Sequence, residues 1–318
     1  MFTIPDDGEG LAQVQSVLFQ EYLEVLVAAI DGKDCVLSGG AVTAQGSPDM
    51  TVAVAKAAVL TNGVLKAVAA ANGTITTADG SNPRLDLVVI TSSGAIAVRA
   101  GTAAAAPKPP ARTANDVVLA VVYVPAADTT IATNQITDLR VMRTQGPILI
   151  DKVTSPVTHN TTNAIQTYYS LTLPSGLFLA GKVLRLSIGG TILANSGTPT
   201  WTYNISYGGT TLYQDVIETG FAADTDRRVW YFELVLVAQG NADQQLQVYG
   251  NPGNVSAFTG PTTGIGNLNG GGATTAMYAG SSAVDSDAGD RTLTVEMTMS
   301  VSNASVETTM EYATAVLE

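Results

Sequence analysis

A single cysteine and a single histidine, Cys35 and His159, are the chain's whole supply of thiol and imidazole. A thiol nucleophile needs a base to ionise it, and a Ser-His-Asp relay would have to run through His159. Cys35 leads into Val36 and Leu37 and reads as a small buried hydrophobe. His159 stands in a stretch rich in Thr and Asn, with no motif around it. The two lie more than 120 positions apart, whereas a zinc centre needs clustered His and Cys. Carboxylates are the remaining candidates. Two acids at a set separation in a cleft can hydrolyse a glycosidic bond, and Glu233 and Glu296 are acids in the middle of apolar stretches. Each falls opposite the apolar residues of its own stretch, so each reads as a solvent-facing or interface carboxylate. Asp285, Asp287 and Asp290 in VDSDAGD have the spacing 1, 3, 6 but lack the Gly position and the closing Glu of an EF-hand. They read as a solvated acidic turn, with a loose surface calcium site as the alternative. Gly270, Gly271 and Gly272 lie in a long loop, not between a strand and a helix, and make no phosphate cradle. The expectation is a non-enzyme with no catalytic, cofactor-binding or metal-ligating residues.

The elements that would carry any site are strands. Leu293 to Val301 alternates strictly, with Leu293, Val295, Met297, Met299 and Val301 on one face. Such strands belong to antiparallel sheets with one packed face and one wet face. Residues 10 to 30 read as the one helix, with Leu11, Val14, Leu18, Tyr22, Val25 and Ala29 on a stripe and Asp31-Gly32 stopping it. The stripe would pack on its own domain or against other copies about an axis; both readings stand. Residues 34 to 143 read as a compact β domain. Asn62-Gly63 between apolar runs signals a hairpin. DVVLAVVYV over 116 to 124 is a buried strand, and the prolines of GTAAAAPKPP over 101 to 110 force an extended connection. Residues 144 to 165, with Gly146-Pro147 and many Thr, Ser and Asn, read as a linker. From 166 the strands become more aromatic. Trp201, Tyr203 and Ile205 share a face, as do Trp230, Phe232, Leu234 and Leu236, and Lys182 to Ile188 alternates. Gly250 to Asp290 is a long Gly/Ser/Thr-rich stretch, which reads as a distal loop with Phe258, Met277 and Tyr278 as candidate receptor contacts, or as a packing arm or insertion.

Composition narrows the partners. Charged residues are 13% of 318, while apolar residues are 46%. So few charges point to a surface partly hidden between copies of the chain, and a monomer solvated by Thr, Ser and Asn is the alternative. A net charge of −12 with no basic run argues against nucleic acid and against anionic lipid. No apolar run approaches the length that spans a membrane, and Met1 to Asp7 has none of the marks of a secretion signal.

Four phrases, VLSGGAVTAQGSPDMTVAVA, NPRLDLVVITSSGAIAVRAGTAAAAPKPP, DVVLAVVYVPAADTTI and ITDLRVMR, occur in order over residues 30 to 143. Together they resemble a module of tailed-bacteriophage structural proteins of the baseplate, tail-fibre and virion-decorating kind. The resemblance implies a connector between the particle and a distal domain, and it brings no catalytic residues. AGKVLRLSIGGTILANSG followed by RRVWYFELVLV resembles the C-terminal jelly-roll domains of phage virion proteins. That second resemblance covers residues 166 to 318 and implies a homotrimer.

The chain is thus expected to be mainly β: an N-terminal helical segment (1–33), a small β connector domain (34–143), a linker (144–165) and a C-terminal antiparallel β-sandwich, jelly-roll-like (166–318). The expected role is a virion structural protein of a tail or baseplate fibre. It would be assembled in the host cytoplasm, docked through its N-terminal part, and present a trimeric sandwich to the host surface. Expected partners are copies of itself, other virion proteins, and a host-surface glycan or protein, with no nucleic acid and no membrane insertion. A capsid-decorating or head-fibre protein is the alternative, and a polysaccharide depolymerase stands behind both.

Overall fold

The computed structural model of the chain describes residues 33–143, 146–196, 199–217, 224–251 and 276–318. The helix expected over 10 to 30 lies outside them. Val, Ile, Thr and Tyr fill the described segments, and these side chains suit a pleated, half-buried surface. Apart from one short helical turn at Thr133–Gln135, the regular structure of the described residues is all strand. Among the described residues no helix is long and apolar enough to cross a membrane. The chain divides into two units, Met1–Thr144 and Gln145–Glu318.

In the first unit the described strands are β1 (Cys35–Gly39), β2 (Val42–Ala44), β3 (Thr51–Val54), β4 (Ala57–Thr61), β5 (Val64–Val68), β6 (Ala71–Thr74), β7 (Arg84–Ile90), β8 (Ile96–Arg99), β9 (Val117–Val124) and β10 (Ile136–Asp138). They form three small sheets, β1-β4-β5, β2-β3-β6 and β10-β9-β7-β8. Asn62 and Gly63 both have positive φ, 49° and 75°, and join β4 to β5 with Thr61 opposite Val64. This is the tight turn whose twist matches its strands. β7 and β9 are buried on both faces. Val88, Ile90, Val117 and Leu119 enter one aliphatic cluster, and Leu85, Leu87, Val89, Val118 and Val121 enter another.

The Ala/Pro-rich connection over 101 to 110 has no ladder to satisfy its backbone, and a buried acid and a neighbouring carbonyl serve instead at its start. The Gly101 N–H donates to Asp86 Oδ1 at 2.9 Å, and the Ala104 N–H to the Pro83 carbonyl at 3.0 Å. Asp86 is fully buried and also accepts from Arg84 Nε at 2.9 Å. The same guanidinium reaches the carbonyls of Thr76 and Thr77. Arg99 pairs with buried Asp116 at 3.0 Å.

In the second unit the strands are β11 (Ile148–Val153), β12 (Val157–Asn160), β13 (Gln166–Leu173), β14 (Val183–Ala194), β15 (Trp201–Tyr207), β16 (Thr210–Ile217), β17 (Asp224–Gly240), β18 (Asp243–Asn251), β19 (Ala276–Ser282), β20 (Arg291–Met299) and β21 (Val306–Leu317). Every pairing between them is antiparallel. One sheet runs β11-β21-β14-β17-β18-β19, with β12 also on β21, and the other runs β13-β20-β15-β16. Counting β11 and β12 as one, the first sheet takes the first, third, sixth and last strands of an eight-strand set and the second takes the rest. That is the order of a jelly roll. The β18–β19 hairpin prolongs the first sheet beyond β17.

The two sheets close on aromatic side chains. Tyr203 on β15 meets Phe232 on β17 edge-on, with centroids 5.0 Å apart, and Trp230 at 6.0 Å. Tyr168 on β13 lies 6.1 Å from Trp230 and donates its hydroxyl to the Thr308 carbonyl on β21 at 3.2 Å. The alternation read along β15 and β17 places these rings inward, and all are buried.

Three expectations are corrected. Residues 148–160 are not a linker. Ile148 and Ile150 are buried, and β11 and β12 lie end to end along β21, interrupted only near Pro156. Threonine-rich sequence is here strand sequence. The strand read as ending at Ile188 runs on to Ala194 through Gly189-Gly190. The Gly/Ser/Thr-rich stretch 250–290 is not all loop, because β19 lies within it and pairs with β18.

Candidate functional site

The acids and nucleophiles singled out in the sequence do not come together. Glu233 lies on the outer face of the first sheet of the second unit. Glu296 lies on the outer face of the other sheet, where it accepts from Asn204 Nδ2 at 3.0 Å. Sheets in a sandwich are ~10 Å apart, and these carboxylates point away from each other, so they form no hydrolytic pair. Asp285 caps its own turn by accepting from the Asp287 N–H at 2.9 Å. Asp290 accepts from the Ser175 N–H at 2.9 Å. Among the described residues no three His, Cys, Asp or Glu side chains are placed to share an ion. Cys35 is buried on β1, and burial pushes its thiol above the usual range. His159 is on β12, opposite Thr308 and 1% exposed, and burial holds its imidazole below the usual range. Phe258 lies outside the described residues. Met277 and Tyr278 stand on the backbone of β19, opposite Tyr249 and Val248, rather than in a loop.

What the fold does assemble is the outer face of the first sheet. Its central strand, β14, lies between β21 and β17. The register sets Gly189 between Tyr312 on β21 and Tyr231 on β17. On one side the next row is Thr314, Ser187, Glu233 and Tyr249, and on the other it is Thr309, Thr191 and Val229. Tyr231 is 46% exposed, Tyr312 44% and Val229 66%. Leu149 on β11 is also exposed. Scattered apolar residues on a surface are ordinary, but exposed apolar side chains gathered on one sheet face suit a contact surface.

Two glycines make this geometry. A Cβ at Gly190 would stand 1.8 Å from the Thr309 carbonyl oxygen, so only glycine lets β14 and β21 approach there. The register slips at this point. Gly189 faces Tyr312 and Gly190 faces Met310, leaving Glu311 as the extra residue of a bulge. Because of the slip, Glu311 and Tyr312 are both exposed. A Cβ at Gly189 would stand 2.9 Å from Cε1 and from the hydroxyl oxygen of Tyr312, so the tyrosine ring lies across the bare glycine.

The face's arginines are engaged by acids. Arg185 Nε donates to Glu318 at 3.0 Å, and its Nη1 lies 3.9 Å from Glu233. Arg227 Nη2 pairs with Glu307 at 2.6 Å. Burial alone would push the Glu307 carboxyl up, but hydrogen bonds from Arg227, Thr309 and Asn160 hold it below the usual carboxylate range. The two Arg185 pairs are exposed and add at most about 1 kcal/mol each. Sequence reading placed Glu233 on this face but missed Tyr231 and Tyr312 as a pair, because only the register of β14 unites them.

No protein-family model matches the chain, and no curated protein does. Among solved structures the chain is similar to the CBM2 module of Lactobacillus casei BL23 phage J-1 evolved Dit, at 7% identity over 46% of this chain and 67% of that one, with a TM-score of 0.23. It is also similar to the VP2 subviral particle protein of infectious bursal disease virus, at 11% identity over 89% of this chain and 78% of that one, TM-score 0.23. A T=1 particle derived from the same virus scores 0.24 at 11% identity, over 89% of this chain and 75% of that one. Likeness at this level fixes neither family nor function.

Proposed function

We propose that the chain is a structural protein of a phage particle, a tail or baseplate component. It docks by its first unit and uses the second for adhesion to the host surface. The observation that carries the reading is the second unit itself, a jelly-roll sandwich whose seven-strand sheet turns a tyrosine-bearing face outward. The ordered phrases over residues 30 to 143, with their likeness to virion connector modules, support a docking role for the first unit. A rigid sandwich suits this work, since repeated copies turn weak single contacts into avidity. The copies form a homotrimer in this reading.

Antibody labelling of intact particles tests it. Label on the tail is the expected result, label on the head would make the chain a capsid-decorating or head-fibre protein, and absence of label would end the virion reading. Mass in solution near three times the 32.7 kDa of one chain is expected for the trimer. Release of reducing sugar from host polysaccharide would overturn the non-enzymatic reading.

A further inference from the structure

Resting on that reading of the second unit, we propose that the strip Tyr312–Gly189–Tyr231 binds a neutral glycan, with pyranose rings laid on the two tyrosines. A tyrosine ring has a negative face and a polar tip. The C–H hydrogens on the flat side of a pyranose are drawn to the first, and its hydroxyls to the second. Tyr231 and Tyr312 sit on the two strands flanking β14, so their Cα atoms stand about 10 Å apart, the reach of about two linked pyranose rings. Gly189 lets the Tyr312 ring lie across the sheet instead of standing off it. The adjoining rows offer hydroxyls from Ser187, Thr191, Thr309 and Thr314, and the Glu233 carboxylate can accept from a sugar diol.

Charge selects a neutral ligand. Arg185 and Arg227 are already held by Glu318, Glu233 and Glu307, Lys152 stands at the β11 edge opposite Thr314, and the chain as a whole carries −12. A phosphorylated or sulfated chain would be repelled rather than gripped. A second copy of the protein fits this strip less well, because the centre of a copy–copy interface is apolar and dense. Here the middle strand offers Ser187, Gly189 and Thr191. Stacking on two rings favours sugars whose hydroxyls are all equatorial, since their flat sides are bare C–H. The ligand class is therefore a β-1,4-linked chain of gluco-configured residues.

Calorimetric titration of the full chain with cellohexaose and with N-acetylchitohexaose is expected to show saturable binding of at least one. Tyr231→Ala and Tyr312→Ala are each expected to weaken it by about tenfold or more, while Tyr312→Phe, which keeps the ring, stays within about threefold. Val64→Ser in the first unit is expected to leave it unchanged. Circular dichroism and mass in solution are recorded for every variant. Absence of binding up to about 10 mM sugar overturns the proposal, and so does binding that survives both alanine variants. Loss of binding together with a fall in mass also overturns it, since the face would then join copies. Labelling of the particle does not depend on these titrations, so a failed titration leaves the virion reading intact. A chain absent from the particle that still binds the sugar would end the virion reading alone.

Discussion

The two units differ in what they do with charge. The first buries two carboxylates, Asp86 and Asp116, inside an aliphatic unit with Arg84 and Arg99 as partners, and keeps a further pair, Arg140–Asp138, at its surface. The second keeps its ion pairs, Arg185–Glu233, Arg185–Glu318 and Arg227–Glu307, on an outer sheet face and fills its interior with aromatic rings. Backbone hydrogen bonding explains the difference. The first unit has short strands and a proline-bearing connection whose N–H and carbonyl groups lack ladder partners, so buried carboxylates and a guanidinium supply them. The second has long antiparallel strands that satisfy one another, and large rings span the gap between its sheets. Buried charge here holds irregular backbone, and exposed charge is left to frame a surface.

The widest break in this comparison should come from Trp230→Ala. Removing a buried indole typically costs about 3–5 kcal/mol. Both tryptophans of the chain, Trp201 and Trp230, lie in the second unit, so the fluorescence of the remaining Trp201 reports that unit's unfolding. Its transition in denaturant should move to much lower concentration while the first unit, followed by hydrogen exchange of β7 and β9, holds. Equal loss in both units would mean that they do not unfold separately.

Asp86→Ala is the matching test in the first unit. Leaving Arg84 buried without its partner should cost about 3–5 kcal/mol, and hydrogen exchange should rise first over residues 101–106, where the Gly101 N–H loses its acceptor. The paired change Arg84→Met with Asp86→Leu should recover part of the stability but not the protection of Gly101. Full recovery of both would show that the acid is not what holds the connection.

Gly190→Ala acts on the face itself. The added carbon has backbone oxygen at 1.8 Å, and relieving such an overlap costs about 1–3 kcal/mol. Iodination or oxidative footprinting of Tyr312 should change, because the bulge that turns both Glu311 and Tyr312 outward depends on that approach. This glycine pair also marks where sequence reading stopped short. Gly-Gly after Ile188 reads as the end of a strand, and nothing local reveals that the partner strand carries an extra residue there. Alternation made β15, β17 and β20 legible, along with the inward direction of Trp201, Tyr203, Trp230 and Phe232. β11, β12 and β19 were hidden by proline and by Gly- and Thr-rich composition, since the strands they pair with, β21 and β18, lie far away in the chain. The tyrosine face was illegible for the same reason: pairing register, not spacing, builds it.

The smallest effect expected is on pH. His159 is buried between strands, with its imidazole held below its ordinary value by desolvation. A base whose folded pKa is depressed binds more protons when unfolded, so its contribution to stability is present above the unfolded value, about 6.5. It is lost as pH falls from there through the folded value. Glu307 adds its own loss only at lower pH, because a carboxyl depressed in the folded state takes up protons at about 4.3 when unfolded. The window between pH 6.5 and pH 5 therefore belongs mainly to His159, and it should appear in the tryptophan-monitored transition of the second unit and not in the first. His159→Asn should flatten the slope in that window even if it lowers stability at pH 7. An unchanged slope would mean that the strand β12 opens and lets the ring meet solvent before the unit unfolds.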